Sequence, residues 1–145
     1  MRCLADTSLI LRLNEPRSPL FKIVGNAVDK LQENGGDLFV VPQVLVEFWV
    51  VATRPKNVNG LGFTVDEAEQ EIDRLQQLFT VLPENENIFN RWKTLVTQYK
   101  VSGKVAHDAR IVAAMIEHGI ENILTLNPGD FKRFEEINVM IPQDI

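Results

Sequence analysis

Four acids stand where carboxylates are seldom found without a reason. Asp6 closes the apolar run of residues 2–5, and Glu47 is the one charge among the nine residues 44–52. Asp108 edges the apolar stripe of a helical segment, and Asp130 ends the turn Asn127-Pro128-Gly129-Asp130. A lone acid in apolar surroundings is rarely tolerated without a partner or a task. Brought together, the four repel one another and raise each other's pKa. A divalent cation relieves that repulsion, and an all-oxygen donor set suits Mg²⁺ or Mn²⁺. Such a centre suits phosphoryl chemistry, because it activates water and neutralises charge on a phosphodiester. Two histidines and one cysteine cannot supply a structural zinc site of the usual four-ligand kind.

These acids must be carried to one place by the elements around them. Residues 103–119 read as a buried helix, with Val105, Ala109, Val112, Ala113 and Ile116 at three- and four-residue spacing. Asp108 lies beside that stripe, and Ala106, Ala109, Ala113 and Ala114 let another element come close. Gly119 ends the helix as a C′ glycine, with His118 suited to the dipole of its last turn. A short strand over 123–126 follows, then the polar turn. Earlier, residues 2–5 form a first strand and Thr7 or Ser8 can cap the helix that Leu9 begins. Asp6 is then either an acid at the carboxyl end of a strand or merely the cap itself. Ser18 or Pro19 opens a helix to about Gln32, and residues 38–41 form a second strand. Residues 44–52 fit a buried helix by length and by Pro42, or a long strand by their β-branched valines. Thr64 and Glu67 form a capping box that opens an amphipathic helix to about Phe79. A short strand over 80–82, a helix over about 85–99 and a last strand over 139–141 complete the order. The order β-α-α-β-α-α-β-α-α-β-(short helix)-β predicts an α/β fold, a three-layer α/β/α sandwich on a mostly parallel sheet, as one domain over residues 1–145. The strand ends of such a sheet converge on one edge, where distant carboxylates can meet.

Net charge is −5, which taken alone argues against a nucleic-acid partner. A cluster of acids that holds divalent cations changes sign locally, so the global balance misstates the field at such a site. Cys3 is the one cysteine, which excludes an internal disulfide and fits a reducing cytoplasm. No apolar stretch reaches membrane-spanning length, and the N-terminal residues read as a strand rather than a signal peptide.

LADTSLI near the start, VEFWVVATRP in the middle and GKVAHDARIVAAMIEHGIENILTLNPGDF near the end resemble the PIN domain family, specifically its VapC-type toxin ribonucleases. The individual motifs are short; their order and spacing carry the resemblance. It implies a PIN-like fold and a Mg²⁺- or Mn²⁺-dependent endoribonuclease. It also implies a homodimer and a small antitoxin protein whose C-terminal arm occupies the active-site groove. Asp6, Glu47 and Asp108 match the family's first three acids. The fourth position falls in the segment 125–131, where Asn127 and Asp130 both offer an oxygen and Asp130 alone offers charge. Ser8 is placed to orient Asp6, and Lys104 and Arg110 to touch phosphate. The helices around Trp49 and Phe79 are expected to supply apolar dimer surface. The alternative is a catalytically weak binding module that keeps the fold and acts through a protein partner. Receiver and haloacid-type phosphatase readings fail on residues: position 8 is Ser rather than an acid, Asp6 has no paired acid beside it, and no phosphorylatable Asp follows the second strand.

Overall fold

The computed structural model describes residues 1–145 and builds one five-stranded sheet, all parallel. In chain order the elements are β1 (Arg2–Ala5), α1 (Thr7–Arg12), α2 (Phe21–Glu33), β2 (Asp37–Val40), α3 (Pro42–Thr53) and α4 (Val65–Leu78). Then come β3 (Thr80–Val81), α5 (Glu86–Gln98), α6 (Val105–His118), β4 (Asn122–Leu124) and β5 (Asn138–Met140). The strands stand in the order β3-β2-β1-β4-β5. Leu4 pairs with Phe39 on one side and with Ile123 on the other, so β1 is central.

That order reverses direction at β1. The chain steps outward from β1 to β2 to β3, then jumps back across the sheet to β4. Right-handed crossovers therefore put α1 to α4 on one face and α5 and α6 on the other. The contacts agree: α1 touches α2 and α3, α3 touches α4, and α5 packs along α6. The crevice that such a reversal opens lies at the carboxyl ends of β1 and β4.

The ambiguous run 44–52 is helical. Pro42 occupies its first turn, where a missing N–H is harmless, and Val41 is its extended N-cap. Val44, Phe48 and Ala52 are buried, whereas Val46 and Val50, one turn apart, are 62% and 52% exposed. A strand would have alternated instead. The second helix starts at Phe21 rather than at Ser18 or Pro19. Ser18 forms a turn first: its hydroxyl accepts from the Leu20 N–H at 3.2 Å and its carbonyl from the Phe21 N–H at 3.1 Å. Thr64 and Glu67 make both bonds of the expected capping box. Gly119 ends α6 in the left-handed region, φ 68°.

Buried Leu4, Val40, Phe48, Phe79, Val112 and Phe131 belong to one continuous core. Phe79 is thus not the interface residue that the sequence suggests. It closes α4 with its ring inward, because the strand that follows pulls the chain onto the sheet. Among the large apolar side chains left outside are Val46 and Val50, one turn apart on α3, and Phe89 on α5. Cys3 is buried on β1, and desolvation pushes its thiol up to about 12. No helix is long and apolar enough to cross a membrane.

Candidate active site

Asp6 is the first residue beyond β1. Its N–H donates to the Leu124 carbonyl at 3.0 Å, which prolongs the β1–β4 pairing by one step. Its carbonyl accepts the first turn of α1, from Leu9 at 3.0 Å and Ile10 at 3.3 Å. It holds the N-cap position of α1, yet its side chain does not cap the helix. Instead Oδ2 accepts from Thr125 Oγ1 at 2.8 Å and from Ser8 Oγ at 2.9 Å. The residue is only 6% exposed. Burial raises its pKa; the Thr125 and Ser8 hydroxyls and the Thr7 N–H pull it back, and the charge of Glu47 pushes the same way as burial. The choice left open by sequence is resolved in favour of an acid aimed at the strand-end crevice.

The two hydroxyls that hold Asp6 are themselves held. Ser8 Oγ accepts from the Leu126 N–H at 3.1 Å, and Thr125 Oγ1 accepts from the Asn127 N–H at 3.0 Å. Each donates to the carboxylate and accepts from the chain just beyond β4, so the lone pairs leave little choice of direction. Thr125 is fully buried. It is a site residue that sequence reasoning missed, although a hydroxyl in the apolar run Ile123-Leu124-Thr125-Leu126 was a signal.

Glu47 projects from α3 at half burial. Thr7 Oγ1 donates to its Oε2 at 2.7 Å, and Gln43 Nε2 donates to its Oε1 at 2.9 Å. Gln43 was also missed; it stands one helical turn before Glu47, the spacing at which side chains meet. Asp108 comes from the first turn of α6, on the opposite face of the sheet, and is half-buried. Burial raises its pKa to about 7, helped by Asp130, Asp6 and Glu47 in that order and opposed by Lys104. Four carboxylates from four elements therefore share one field. Asp130 lies in the short 3₁₀ turn Pro128–Asp130 and is exposed, as is Asn127 just before it. Of that pair, it is Asp130 whose charge bears on Asp108.

Lys104 is exposed at the N-cap of α6, close enough to lower the Asp108 pKa. Arg110 is less free. Its guanidinium donates to Glu84 at 2.6 and 3.2 Å and to Gln43 Oε1 at 3.3 Å. A phosphate would have to displace those partners. The Ser8 hydroxyl donates to Asp6 and accepts from the Leu126 N–H, so it is engaged by protein groups.

No three of the acids close by themselves into a ligand set tight enough to grip an ion. The donor set nevertheless fits a hard divalent cation. It is all oxygen and carries up to four negative charges, and Asp108, half-buried like Glu47, is held in no salt bridge.

A parallel α/β sandwich with carboxylates gathered at its reversal point defines a class, that of domains with an acidic centre at a strand edge. Residues 3–137 match the family model described as PIN domain. Ribonuclease VapC1 of Rickettsia felis is 30% identical over 146 residues, spanning 97% of this chain and 96% of that protein. Among solved structures, VapBC-1 from nontypeable Haemophilus influenzae superposes with a TM-score of 0.72 at 20% identity, covering 98% of both chains. VapBC2 from Rickettsia felis, bound to a DNA fragment from its promoter, gives 0.70 at 15% identity, covering 97% of this chain and 98% of that one. The chain belongs to the PIN domain family.

Proposed function

We propose that residues 1–145 act as one PIN-type endoribonuclease domain that hydrolyses RNA phosphodiester bonds with the help of Mg²⁺ or Mn²⁺. The observation that carries this reading is the gathering of Asp6, Glu47, Asp108 and Asp130 from four separate elements at one edge of the sheet, close enough that the other three acids raise the Asp108 pKa. Stability alone does not favour such a gathering. The name of the Rickettsia felis relative supports RNA as the substrate. Asp6, Glu47 and Asp108 are the residues that would hold the cation, with Asp130 as the fourth donor and Asn127 beside it. A bound divalent cation supplies charge neutralisation at the phosphate and a water that is easier to deprotonate.

The chain's own residues do the rest. Thr125 and Ser8 lock the Asp6 carboxylate toward the crevice. Thr7 and Gln43 do the same for Glu47. Lys104 offers an exposed cation at the mouth for substrate phosphate. Metal-site residues handle phosphates rather than base edges, so base preference must come from elsewhere on the surface.

Purified protein should cleave RNA, stop in EDTA and resume when Mg²⁺ or Mn²⁺ is restored in excess. Undiminished cleavage in EDTA sinks the metal mechanism. The open spacing of the acids favours the second reading, a catalytically weak module that acts through a partner. Calorimetry decides between the two: an absence of heat on Mg²⁺ or Mn²⁺ titration supports the second.

A toxin role with a small antitoxin partner is part of the same proposal. It is supported by the likeness to toxin–antitoxin structures, among them a toxin–antitoxin complex from Klebsiella pneumoniae. The exposed Val46–Val50 ridge and Phe89 are the surfaces available for that partner or for a homodimer. Lone, buried Cys3 fits a reducing cytoplasm. Light scattering at micromolar concentration tests the dimer, and co-purification with a neighbouring small gene product tests the partner.

A further inference from the structure

Gln43 sits at the start of α3, and its one amide touches both helix layers. Nε2 donates to Glu47 Oε1 at 2.9 Å and to the backbone carbonyl of His107 at 2.7 Å. Oε1 accepts from Arg110 at 3.3 Å, and Arg110 is anchored by Glu84 at 2.6 Å. The partners settle which way the amide faces: turned over, its oxygen would meet a carboxylate and a carbonyl, and its NH₂ a guanidinium.

The His107 carbonyl belongs to the turn of α6 that carries Asp108. Glu47 and Asp108 come from helices on opposite faces of the sheet, so strand pairing does not fix their separation. Gln43 spans that gap by direct hydrogen bonds at both ends. One end lies on the Glu47 carboxylate itself and the other one residue from Asp108. Arg110 and Glu84 keep the span from swinging away. We propose that Gln43 is a positioning residue that sets the distance between the Glu47 and Asp108 carboxylates and so the size of cation that the site prefers. This rests on the reading of these acids as a divalent-cation site.

The link from distance to preference is geometric. Mg²⁺ is small and needs near-ideal octahedral geometry, whereas Ca²⁺ accepts longer bonds and a looser, more variable set. A site that loses its spacer relaxes outward under carboxylate repulsion, and Mg²⁺ suffers more than Ca²⁺. Partners that orient metal ligands in this way typically affect affinity by roughly 10–100-fold when removed.

The test is a Mn²⁺ titration followed by electron paramagnetic resonance, with Mg²⁺ and Ca²⁺ as competitors, on the wild type, Gln43→Leu and Gln43→Asn. Leucine removes every hydrogen bond at similar size. Asparagine keeps the amide but is one methylene too short to span both ends, and it guards against a leucine variant that folds poorly. Both variants should weaken Mg²⁺ binding by roughly 10–100-fold and Ca²⁺ binding by less, so that the Mg²⁺-to-Ca²⁺ ratio falls. Melting of the cation-free protein is recorded alongside. A merely structural role lowers the melting temperature and leaves that ratio unmoved, an outcome that overturns the proposal. A wild type that binds no Mn²⁺ overturns the reading of the acids and the proposal with it.

Discussion

Neutralising Asp108 should stabilise the protein whenever no cation is bound. The unfolded chain ionises this carboxyl near 3.8, while the folded chain holds its proton up to about 7. The sign follows from linkage: relative stability is fully present below pH 3.8, declines as the pH climbs through that window, and is lost above it. For an enclosed group the loss would come to roughly 4 kcal/mol at about 1.4 kcal/mol per pKa unit. Asp108 is only half-buried, and screening by water brings the expected figure down to about 1–2 kcal/mol. Asp108→Asn keeps the shape and removes the ionisation. At pH 8 in EDTA the variant should therefore be about 1–2 kcal/mol more stable than the wild type, a rise of about 2–8 °C in Tm. The gap should close as the pH is taken down toward 4. Added Mg²⁺ should raise the melting temperature of the wild type and leave that of the variant where it was. RNA cleavage by the variant should fall by orders of magnitude, since the charge that holds the cation is gone. Calorimetric melts across pH, with and without Mg²⁺, beside a cleavage assay, separate these outcomes. An Asp108→Asn protein that melts early at pH 8 and still cuts RNA normally refutes the site.

Further substitutions follow from the hydrogen bonds around Asp6 and from the charges around Asp108. Thr125→Val keeps the volume but strips a donor from Asp6 and an acceptor from the Asn127 N–H. It should cost about 1–3 kcal/mol in denaturant melts and raise the Asp6 pKa further. Thr125→Ser should recover most of both; a valine variant as stable and active as the wild type would show that the hydroxyl orients nothing. Asp130→Asn removes the neighbouring charge that weighs most on Asp108, so the Asp108 pKa should fall from about 7 and Mg²⁺ affinity should drop with it. Asn127→Ala should do neither, and carbon-detected NMR titration of the side-chain carboxyls reads the difference; the opposite ranking would make Asn127 the fourth donor.

The helices and strands were legible in the chain because their causes are local. A 3.6-residue apolar period marks α6, a reciprocal Thr64–Glu67 box opens α4, and a left-handed glycine, Gly119, closes α6. Family membership was legible too, because LADTSLI, VEFWVVATRP and the long C-terminal motif keep their order along the whole chain. Where local causes compete, the reading stopped: the valines and Pro42 of α3 pull in opposite directions, and only packing on the sheet turns Val44 and Phe48 inward together. Phe79 looked like surface because a helical stripe shows that a face is apolar without showing what covers it. The tertiary structure alone decided the strand order, and with it the reversal beside β1 that brings Asp6, Glu47, Asp108 and Asp130 into one field. It also gave Thr125 and Gln43 their work. Thr125 lies 119 residues from Asp6, and Gln43 lies 64 residues from His107. Contacts across such separations leave no periodic trace in either segment, because each residue needs only to fit its own strand or helix until the fold brings its partner.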